Sequence, residues 1–267
     1  AEHLAGSDDY AGALDEYRKL VGQFRATDLA DDAQLRIGEL LFVAERYEEA
    51  AGEYGRFLQG FPDSPLRAQA MRGLADSYFQ MGKYDQAYEH YEQLLAAIPS
   101  SSAEVPSLLN AGEALVRLGR LEQARDVFAR LISVHPEAPS IFLARLRLGM
   151  VLQQLQGYRE AIDQFTEVLS CPEKGLAAEA QYQIGESYAA MGDYEESAVQ
   201  FLRVAYLFPS ERTWYFKALL RAGENYEALE KWEAAGQVYR KIAAEVEEDD
   251  VRRLAQQKLA ELEQRSP

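Results

Sequence analysis

The chain has 267 residues, of which 48% are apolar and 27% are charged, a composition that excludes a disordered chain. No apolar run reaches the ~18–20 residues of a membrane-spanning helix, so no membrane insertion is predicted. The formal net charge of −16 excludes nucleic acid as a favoured partner, because phosphate groups would be repelled. The single cysteine, Cys171, cannot form an internal disulfide, so cysteine content does not indicate a compartment.

The first feature met along the chain is a small residue that lies three positions after an aromatic residue and four before another. Tyr10, Ala13 and Tyr17 form the first copy. Six more copies follow at intervals of 37, 37, 37, 37, 36 and 38 residues, with leucine as the first member in one of them. A fixed period of this size predicts stacked helical repeats, in which each repeat buries its apolar side against its neighbours. The small residues are Ala13, Ala50, Ala87, Ala124, Ala161, Ser197 and Ala235.

One repeat, the third copy, shows the elements that every copy is predicted to contain. Ser64 and Pro65 predict the start of a first helix, because serine caps a helix and proline fits its first turn. Gly82 predicts the end of that helix, and apolar residues at three- and four-residue spacing predict a second helix from Tyr84. Pro99 predicts the end of the pair, since proline cannot continue a helix. Each repeat is therefore predicted to be a helical hairpin.

The whole chain, residues 1–267, is predicted to be one solenoid domain built from these hairpins. Ala1 stands at the position that Gly38 and Ala75 occupy in later copies, in the middle of a first helix. The chain is therefore predicted to be a fragment of a longer protein. The predicted order is a truncated repeat over 1–25, full repeats over roughly 26–62, 63–99, 100–136, 137–173, 174–209 and 210–249, and a capping helix over 250–265.

Small residues also recur in the first helix of each repeat, twelve positions before the small residue of the second helix. Glycine inside a helix costs ~1 kcal/mol relative to alanine, so its recurrence needs a reason. We predict that the partner helix crosses at this point and that aromatic side chains fill the space around the crossing. The residues are Gly38, Ala75, Gly112, Gly149, Gly185 and Gly223.

These residues resemble the tetratricopeptide repeat. The pattern is seen in Ala75, Gly82-Lys83-Tyr84, Ala87, Tyr91 and Pro99. The resemblance implies an all-α fold, a right-handed solenoid of antiparallel helix pairs whose first helices line a concave face where partners bind. Two features depart from the family: its early tryptophan is absent, and the period is near 37 where the usual value is about 34.

The junctions between repeats suggest a narrower resemblance. The run Phe61-Pro62-Asp63-Ser64-Pro65 and the long period look like tetratricopeptide proteins of bacterial cell envelopes. These include the periplasmic protein associated with the Tol–Pal system, outer-membrane assembly lipoproteins and exopolysaccharide-export scaffolds. The resemblance favours the periplasmic side of the cell envelope over the cytoplasm.

Candidate binding residues follow from the face that the resemblance assigns to the first helices. The position after the recurring small residue is acidic in five of six copies, and basic or amide residues stand three positions earlier in most copies. Two interpretations stay open: i,i+3 ion pairs that only support their own helices, or a mainly acidic groove for a polar or basic peptide. The candidate residues are Arg36, Glu39, Phe42, Arg72, Asp76, Phe79, Asn110, Glu113, Arg147, Glu186, Arg221 and Glu224.

No residue pattern indicates catalysis, a metal or a cofactor. His3, His90 and His135 are far apart and show no metal-ligand spacing, and no glycine-rich phosphate loop is present. The lysine and asparagine of a chaperone-binding carboxylate clamp are missing too. The predicted function is therefore a non-catalytic scaffold that binds a peptide, loop or helix of a protein partner. The alternative is a structural arm of an envelope export or assembly complex, which would use an edge or the convex face.

Overall fold

The structure is a computed structural model that describes residues 10–23, 28–97, 102–246 and 249–265. These residues form fourteen α-helices joined by short turns, and they contain no strand, which confirms the predicted all-α repeat fold. The start of the truncated first repeat, residues 1–9, lies outside the described residues. The helices are α1 (Tyr10–Gln23), α2 (Asp28–Val43), α3 (Tyr47–Gly60), α4 (Arg67–Gln80), α5 (Tyr84–Ala97), α6 (Glu104–Arg117), α7 (Leu121–Val134), α8 (Ile141–Gln154), α9 (Tyr158–Val168), α10 (Lys174–Ala190), α11 (Tyr194–Leu207), α12 (Arg212–Ala228), α13 (Trp232–Glu245) and α14 (Asp249–Arg265).

The helices belong to two compact units, Ala1–His135 and Pro136–Pro267. The first unit contains α1 to α7 and the second contains α8 to α14. Within each unit every helix packs against the next one along the chain. First helices of successive repeats also touch, α2 with α4 and α4 with α6 in the first unit, and α8 with α10 and α10 with α12 in the second. The first helices of each unit therefore share a continuous face.

The turn inside each hairpin contains a residue in the left-handed region of backbone conformation. Gly82, Gly119 and Gly192 have φ angles of 72°, 72° and 82°, a region that glycine enters without steric cost. Three other turns place Glu45, Gln156 and Glu230 at φ angles of 59°, 63° and 56°. Glycine is thus the unstrained choice for this turn, and half of these six turns do without it.

The recurring small residues of the first helices make room for aromatic rings, as predicted. The ring of Tyr54 lies between Gly38 of α2 and Gly73 of α4, where added Cβ atoms would come within 2.6 Å and 2.4 Å of it. A Cβ atom added to Gly185 would likewise lie 2.7 Å from the ring of Phe201. These rings are buried, so the crossing of the helices is set by an aromatic side chain pressed against bare backbone. The other pairs are Gly112 with Phe128, Gly149 with Phe165 and Gly223 with Tyr239.

The last helix, α14, packs on α13 and closes the apolar core of the second unit. Ala255 and Leu262 are buried against that core, and Val251 and Leu259 pack at its margin. Apolar residues at these spacings form one face of a helix, and the remaining positions are mostly charged or amide residues. The capping role of this helix stays a prediction.

Candidate partner-binding site

The face made by the first helices of the first unit is organised around the carboxylate of Asp76 on α4. The hydroxyl of Tyr91 donates a hydrogen bond to it over 2.5 Å, and the amide of Asn110 donates another over 3.0 Å. The Nε atom of Arg72 lies 3.8 Å from the second carboxylate oxygen. The structure therefore brings together three of the predicted site residues, Arg72, Asp76 and Asn110, from two neighbouring first helices.

The hydroxyl of Tyr91 belongs to this cluster, although Tyr91 is not among the residues predicted for the site. Burial of the ring raises the pKa of Tyr91 well above its usual range, and the nearby negative charge of Asp76 acts in the same direction. The phenol thus stays protonated and donates to Asp76. The copies that carry phenylalanine at this position lack such a donor, so a tyrosine there is the sequence feature that could have indicated the contact.

Arg36 and Glu39 form an ion pair within α2. The Nη1 atom of Arg36 lies 2.6 Å from Glu39 Oε2, and its Nε atom lies 3.7 Å from Asp32 Oδ1. Both side chains of the closer pair are largely exposed, and such pairs contribute only ~0–1 kcal/mol. This pair fits the interpretation in which an i,i+3 contact supports its own helix.

The two phenylalanines of the predicted site pack at the ends of their helices. Phe42 meets the ring of Tyr47 edge-on at a centroid distance of 5.3 Å, and Phe79 meets Tyr84 in the same way at 5.3 Å. Both rings are half-buried, so each holds a hairpin turn against the following helix. Glu113 is half-buried on α6. Contact of these three residues with a partner stays a prediction.

In the second unit, Arg221 of α12 is held by two carboxylates. Its Nε and Nη2 atoms donate to the two oxygens of Glu186 on α10 over 2.6 Å and 2.9 Å, and Nη1 donates to Glu224 over 2.8 Å. The hydrogen bonds that Arg221 donates to Glu186 raise the pKa of Arg221, with a smaller contribution from Glu224, although burial opposes both. The predicted Arg221–Glu224 pair is therefore present, and it is part of a bridge between two repeats.

An aromatic pair lies on the same two helices. The rings of Tyr182 on α10 and Trp214 on α12 are 5.2 Å apart, and the Nζ atom of Lys217 stands 4.8 Å from the centre of the tryptophan ring. All three side chains were absent from the predicted site. Burial raises the pKa of Tyr182, and the neighbouring carboxylate of Glu186 adds to the shift. The pair thus supplies half-buried apolar surface beside the Arg221 cluster.

Glu179 lies on α10 one turn before Tyr182 and is half-buried. Burial raises its pKa, while the positive charges of Arg147 and Lys217 act in the opposite direction. No hydrogen bond or ion pair reaches this carboxylate from the parts of the chain that the structure describes. Arg147, which was predicted for the site, contacts Met150 Sδ on its own helix α8 through Nη1 at 3.6 Å. Glu179 is therefore a partly desolvated acid without a hydrogen-bond or ion-pair partner, and the charges of Arg147 and Lys217 offset its charge only in part.

Glu179 and Lys217 share a repeat position that the sequence analysis did not consider. Each lies six residues before the glycine of its first helix, and Asp32 holds the same position in α2. Residues at this position lie one turn before Arg36 and Arg221, on the same side of the helix. Extending the pattern of charged positions by one turn toward the N-terminus would have found them.

The chemistry of this face is that of recognition. Among the described residues no group of histidine, cysteine, aspartate or glutamate side chains could hold a metal ion. Within the described parts of the chain no helix is long and apolar enough to cross a bilayer. Ion pairs, a half-buried carboxyl group without a hydrogen-bond partner and half-buried rings are features that contact polar and aliphatic side chains in protein interfaces.

Solved structures with the same fold include two whose TM-score to this chain is 0.60. YrrB, whose structure is described as a TPR protein with an unusual peptide-binding site, is 20% identical and covers 76% of this chain and 96% of its own. A tetratricopeptide repeat protein from Parabacteroides merdae is 16% identical and covers 98% and 95%. MamA is 19% identical with a TM-score of 0.54 and covers 72% and 95%. At these identities the likeness concerns the fold.

Sequence models of one family match most of the chain, although a search of curated proteins found no match. Four models described as tetratricopeptide repeat match residues 28–100, 78–148, 146–212 and 217–246. They cover the hairpins in which rings pack against small residues of the first helices. Since sequence models and fold agree over this length, the protein belongs to the tetratricopeptide repeat family.

Proposed function

We propose that the protein is a non-catalytic scaffold for protein–protein interaction whose first-helix face binds a peptide, loop or helix of a partner. One observation carries this proposal. Glu179 is half-buried in the second unit, one turn before Tyr182 of the Tyr182–Trp214 pair, and the charges of Arg147 and Lys217 act on it without an ion pair in the described residues. A partly desolvated acid gains stability when a cation joins it, because charge-assisted hydrogen bonds replace lost hydration. The favoured ligand is therefore a segment with a lysine or arginine next to an apolar side chain.

The ordered side chains around the Tyr182–Trp214 pair support binding of a partner at this face. Arg221 is held at three points by Glu186 and Glu224, so the floor beside the aromatic pair is already ordered before a ligand arrives. Ordering side chains on binding costs ~0.5–1.5 kcal/mol each, and a pre-ordered face avoids much of this cost. Tyrosine, tryptophan and arginine are also the residues that most often anchor interfaces.

The comparisons support an interaction role in general terms. YrrB has the same fold and its description names a peptide-binding site. The family is built from repeats that present extended surfaces, and such surfaces usually recognise other proteins. The identity of the partner and the basic character of its segment belong to our proposal alone.

A selection with displayed peptides tests the proposal. The immobilised protein is exposed to a library of short random peptides, and the enriched sequences are read. We expect enrichment of lysine or arginine next to aliphatic or aromatic residues, and loss of this enrichment with Glu179→Gln. Glu233→Gln, on an exposed position of α13, is the matched control. An unselective library, or an unchanged set of peptides with Glu179→Gln, would contradict the proposed site.

The alternative function, a structural arm of a bacterial envelope complex, has one observation in its favour. Large apolar side chains are exposed on α11, the second helix of its repeat, and the most exposed of them is Tyr206, of which 83% is accessible to solvent. An arm would use such a surface instead of the first-helix face, so its assembly would survive Glu179→Gln. Location on the periplasmic side of the cell envelope stays a prediction from the junction sequences.

A further inference from the structure

The outer positions of α11 differ from those of every other second helix in the chain. At two, five and nine residues after the recurring small residue, α11 has Val199, Leu202 and Tyr206. None of the other copies has a large apolar side chain at any of these three positions. Their residues are Asp15, Arg18 and Gly22; Gly52, Gly55 and Gln59; Glu89, Glu92 and Ala96; Asp126, Ala129 and Ser133; Asp163, Thr166 and Ser170; and Gln237, Arg240 and Ala244.

These apolar side chains are exposed in the structure. The accessible fractions are 83% for Tyr206, 53% for Leu207 and 39% for Val199. Leu202 is half-buried between them and the core. The repeat fold does not require such side chains, because six other copies are polar or small at the same places. Apolar residues grouped on a surface without a packing role mark interaction sites.

A groove begins at this patch. It lies between α11 and α13, with α12 as its floor, and has a volume of about 430 Å³. That volume lies within the range of clefts that take up several side chains of a ligand. The residues that form it include Leu202, Tyr206, Leu219, Tyr226, Val238 and Lys241.

Two basic side chains flank the apolar patch and its groove although the chain carries a net charge of −16. Lys241 of α13 lines the groove. Arg203 lies outside the groove, four residues after Val199 and three before Tyr206 on α11, so it borders the apolar patch. Arg203 donates to the amide oxygen of Gln200 over 3.3 Å, and Lys241 stands 5.8 Å from the ring of Tyr215. Neither cation has an ion pair with a carboxylate in the described parts of the chain. An acidic ligand would thus find two positive charges without a carboxylate partner, Lys241 in the groove and Arg203 beside the apolar patch.

We propose that this groove binds an amphipathic α-helix of a partner protein, with apolar side chains beside Tyr206 and acidic residues facing Arg203 and Lys241. The apolar positions of α11 are spaced by three and four residues, the spacing that meets the i, i+3, i+4 and i+7 side chains of a helix in a groove. A second copy of this chain fits less well. A symmetric pairing of two such patches would bring Arg203 and Lys241 of both copies together.

The test uses a displayed library of helical peptides with fixed apolar residues at i, i+3, i+4 and i+7 and random residues elsewhere. On the wild-type protein we expect enrichment of aspartate and glutamate at the random positions. The exposed double variant Val199→Ser/Tyr206→Ser should weaken the best peptide by at least about tenfold in calorimetric titration, which corresponds to ~1.4 kcal/mol. Arg203→Glu/Lys241→Glu should change the preference to lysine and arginine.

Two controls keep the result specific. Val134→Ser removes an apolar side chain of 55% exposure from α7 and should leave the peptides bound. Glu179→Gln should also leave them bound, so this surface and the first-helix face are tested separately. Circular dichroism checks that every variant is folded.

Three results would overturn the proposal. The first is a library without acidic enrichment, and the second is equal binding by Val199→Ser/Tyr206→Ser. The third is a wild-type dimer in analytical ultracentrifugation that Tyr206→Ser converts to a monomer, because a second copy would then be the occupant of the groove.

Discussion

Arg221 and Glu186 are joined by two parallel hydrogen bonds of 2.6 Å and 2.9 Å, which connect the first helices of two successive repeats. A planar guanidinium matches a carboxylate in this way, whereas a lysine ammonium offers a single point of charge. About a third of each side chain is exposed, at 34% and 28%, so the pair is neither a surface contact nor a fully buried one. This two-bond bridge between α10 and α12 therefore requires arginine at position 221, beside the aromatic contact of Tyr182 with Trp214.

Replacing Arg221 with lysine should therefore destabilise the second unit although the charge is kept. We expect a loss of about 1–2 kcal/mol in the free energy of unfolding, the range of a charge-assisted hydrogen bond in a half-buried position. Urea denaturation followed by circular dichroism measures it. Arg36→Lys is the matched control, because its pair is exposed and lies within one helix, and it should change stability by less than about 0.5 kcal/mol. Equal effects of the two substitutions would contradict the role of the bridge.

Gly73 should not tolerate a methyl group. A Cβ atom there would lie 2.4 Å from the Tyr54 ring, which is itself buried, so Gly73→Ala should cost ~1–3 kcal/mol through overpacking. Gly52 provides the control, since it lies within α3 with nothing within 4 Å of an added Cβ. Gly52→Ala should stabilise the protein by ~0.5–1 kcal/mol, because alanine favours a helix. A lower melting temperature for Gly73→Ala and a higher one for Gly52→Ala would show that packing requires glycine at position 73. A higher melting temperature for both would contradict it.

The sequence period was enough to predict such crossings, but it did not predict which side chains bridge the repeats. The recurring glycines and aromatic residues have fixed spacing, and the same spacing gives the same contact in each copy. Arg221 has acidic neighbours both in its own helix and in the preceding repeat. Its three-point contact depends on how α10 and α12 stack, which spacing alone does not define. The i,i+3 pair with Glu224 was visible in the sequence, whereas the stronger pair with Glu186 was not.

The contacts of Asp76 could not be predicted from the sequence either. Asp76 is one of the acidic residues that directly follow the recurring small residue, and this position suggested that it binds a partner. In the structure it accepts hydrogen bonds from Tyr91 and Asn110 of its own chain. Glu179, which has no such contact within the described residues, does not stand at one of these acidic positions. Burial and local compensation decide which acid is free to bind, and both depend on neighbours that are distant in sequence.

The hairpin turns predict a stabilising substitution. Gln156 has a φ angle of 63°, a region that costs a residue with a side chain ~1–2 kcal/mol. Gln156→Gly should raise the free energy of unfolding by about 0.5–1 kcal/mol, after allowing for the greater freedom of glycine in the unfolded chain. The reciprocal change Gly119→Gln, at a φ angle of 72°, should lower stability by a similar amount. A stabilising effect of Gly119→Gln would show that the turn conformation is not the cause.

Alkaline pH should weaken the first unit through Tyr91. Its pKa in the folded protein is raised above the usual value of 10.0, first by burial and then by the charge of Asp76. Above pH 10 the unfolded chain loses this proton while the folded protein keeps it, so ionisation favours the unfolded state. The contribution of Tyr91 is thus fully present below about pH 10 and declines as the pH rises further.

Tyr91→Phe should be less stable than wild type at neutral pH, because Asp76 loses a donor, but its stability should fall less steeply between about pH 10 and 11. Urea midpoints of both proteins across this range measure the difference, and Tyr84→Phe, at a half-buried ring on the same helix, is the control. Parallel pH profiles for wild type and Tyr91→Phe would mean that the Tyr91 hydroxyl is not the group whose ionisation weakens the fold.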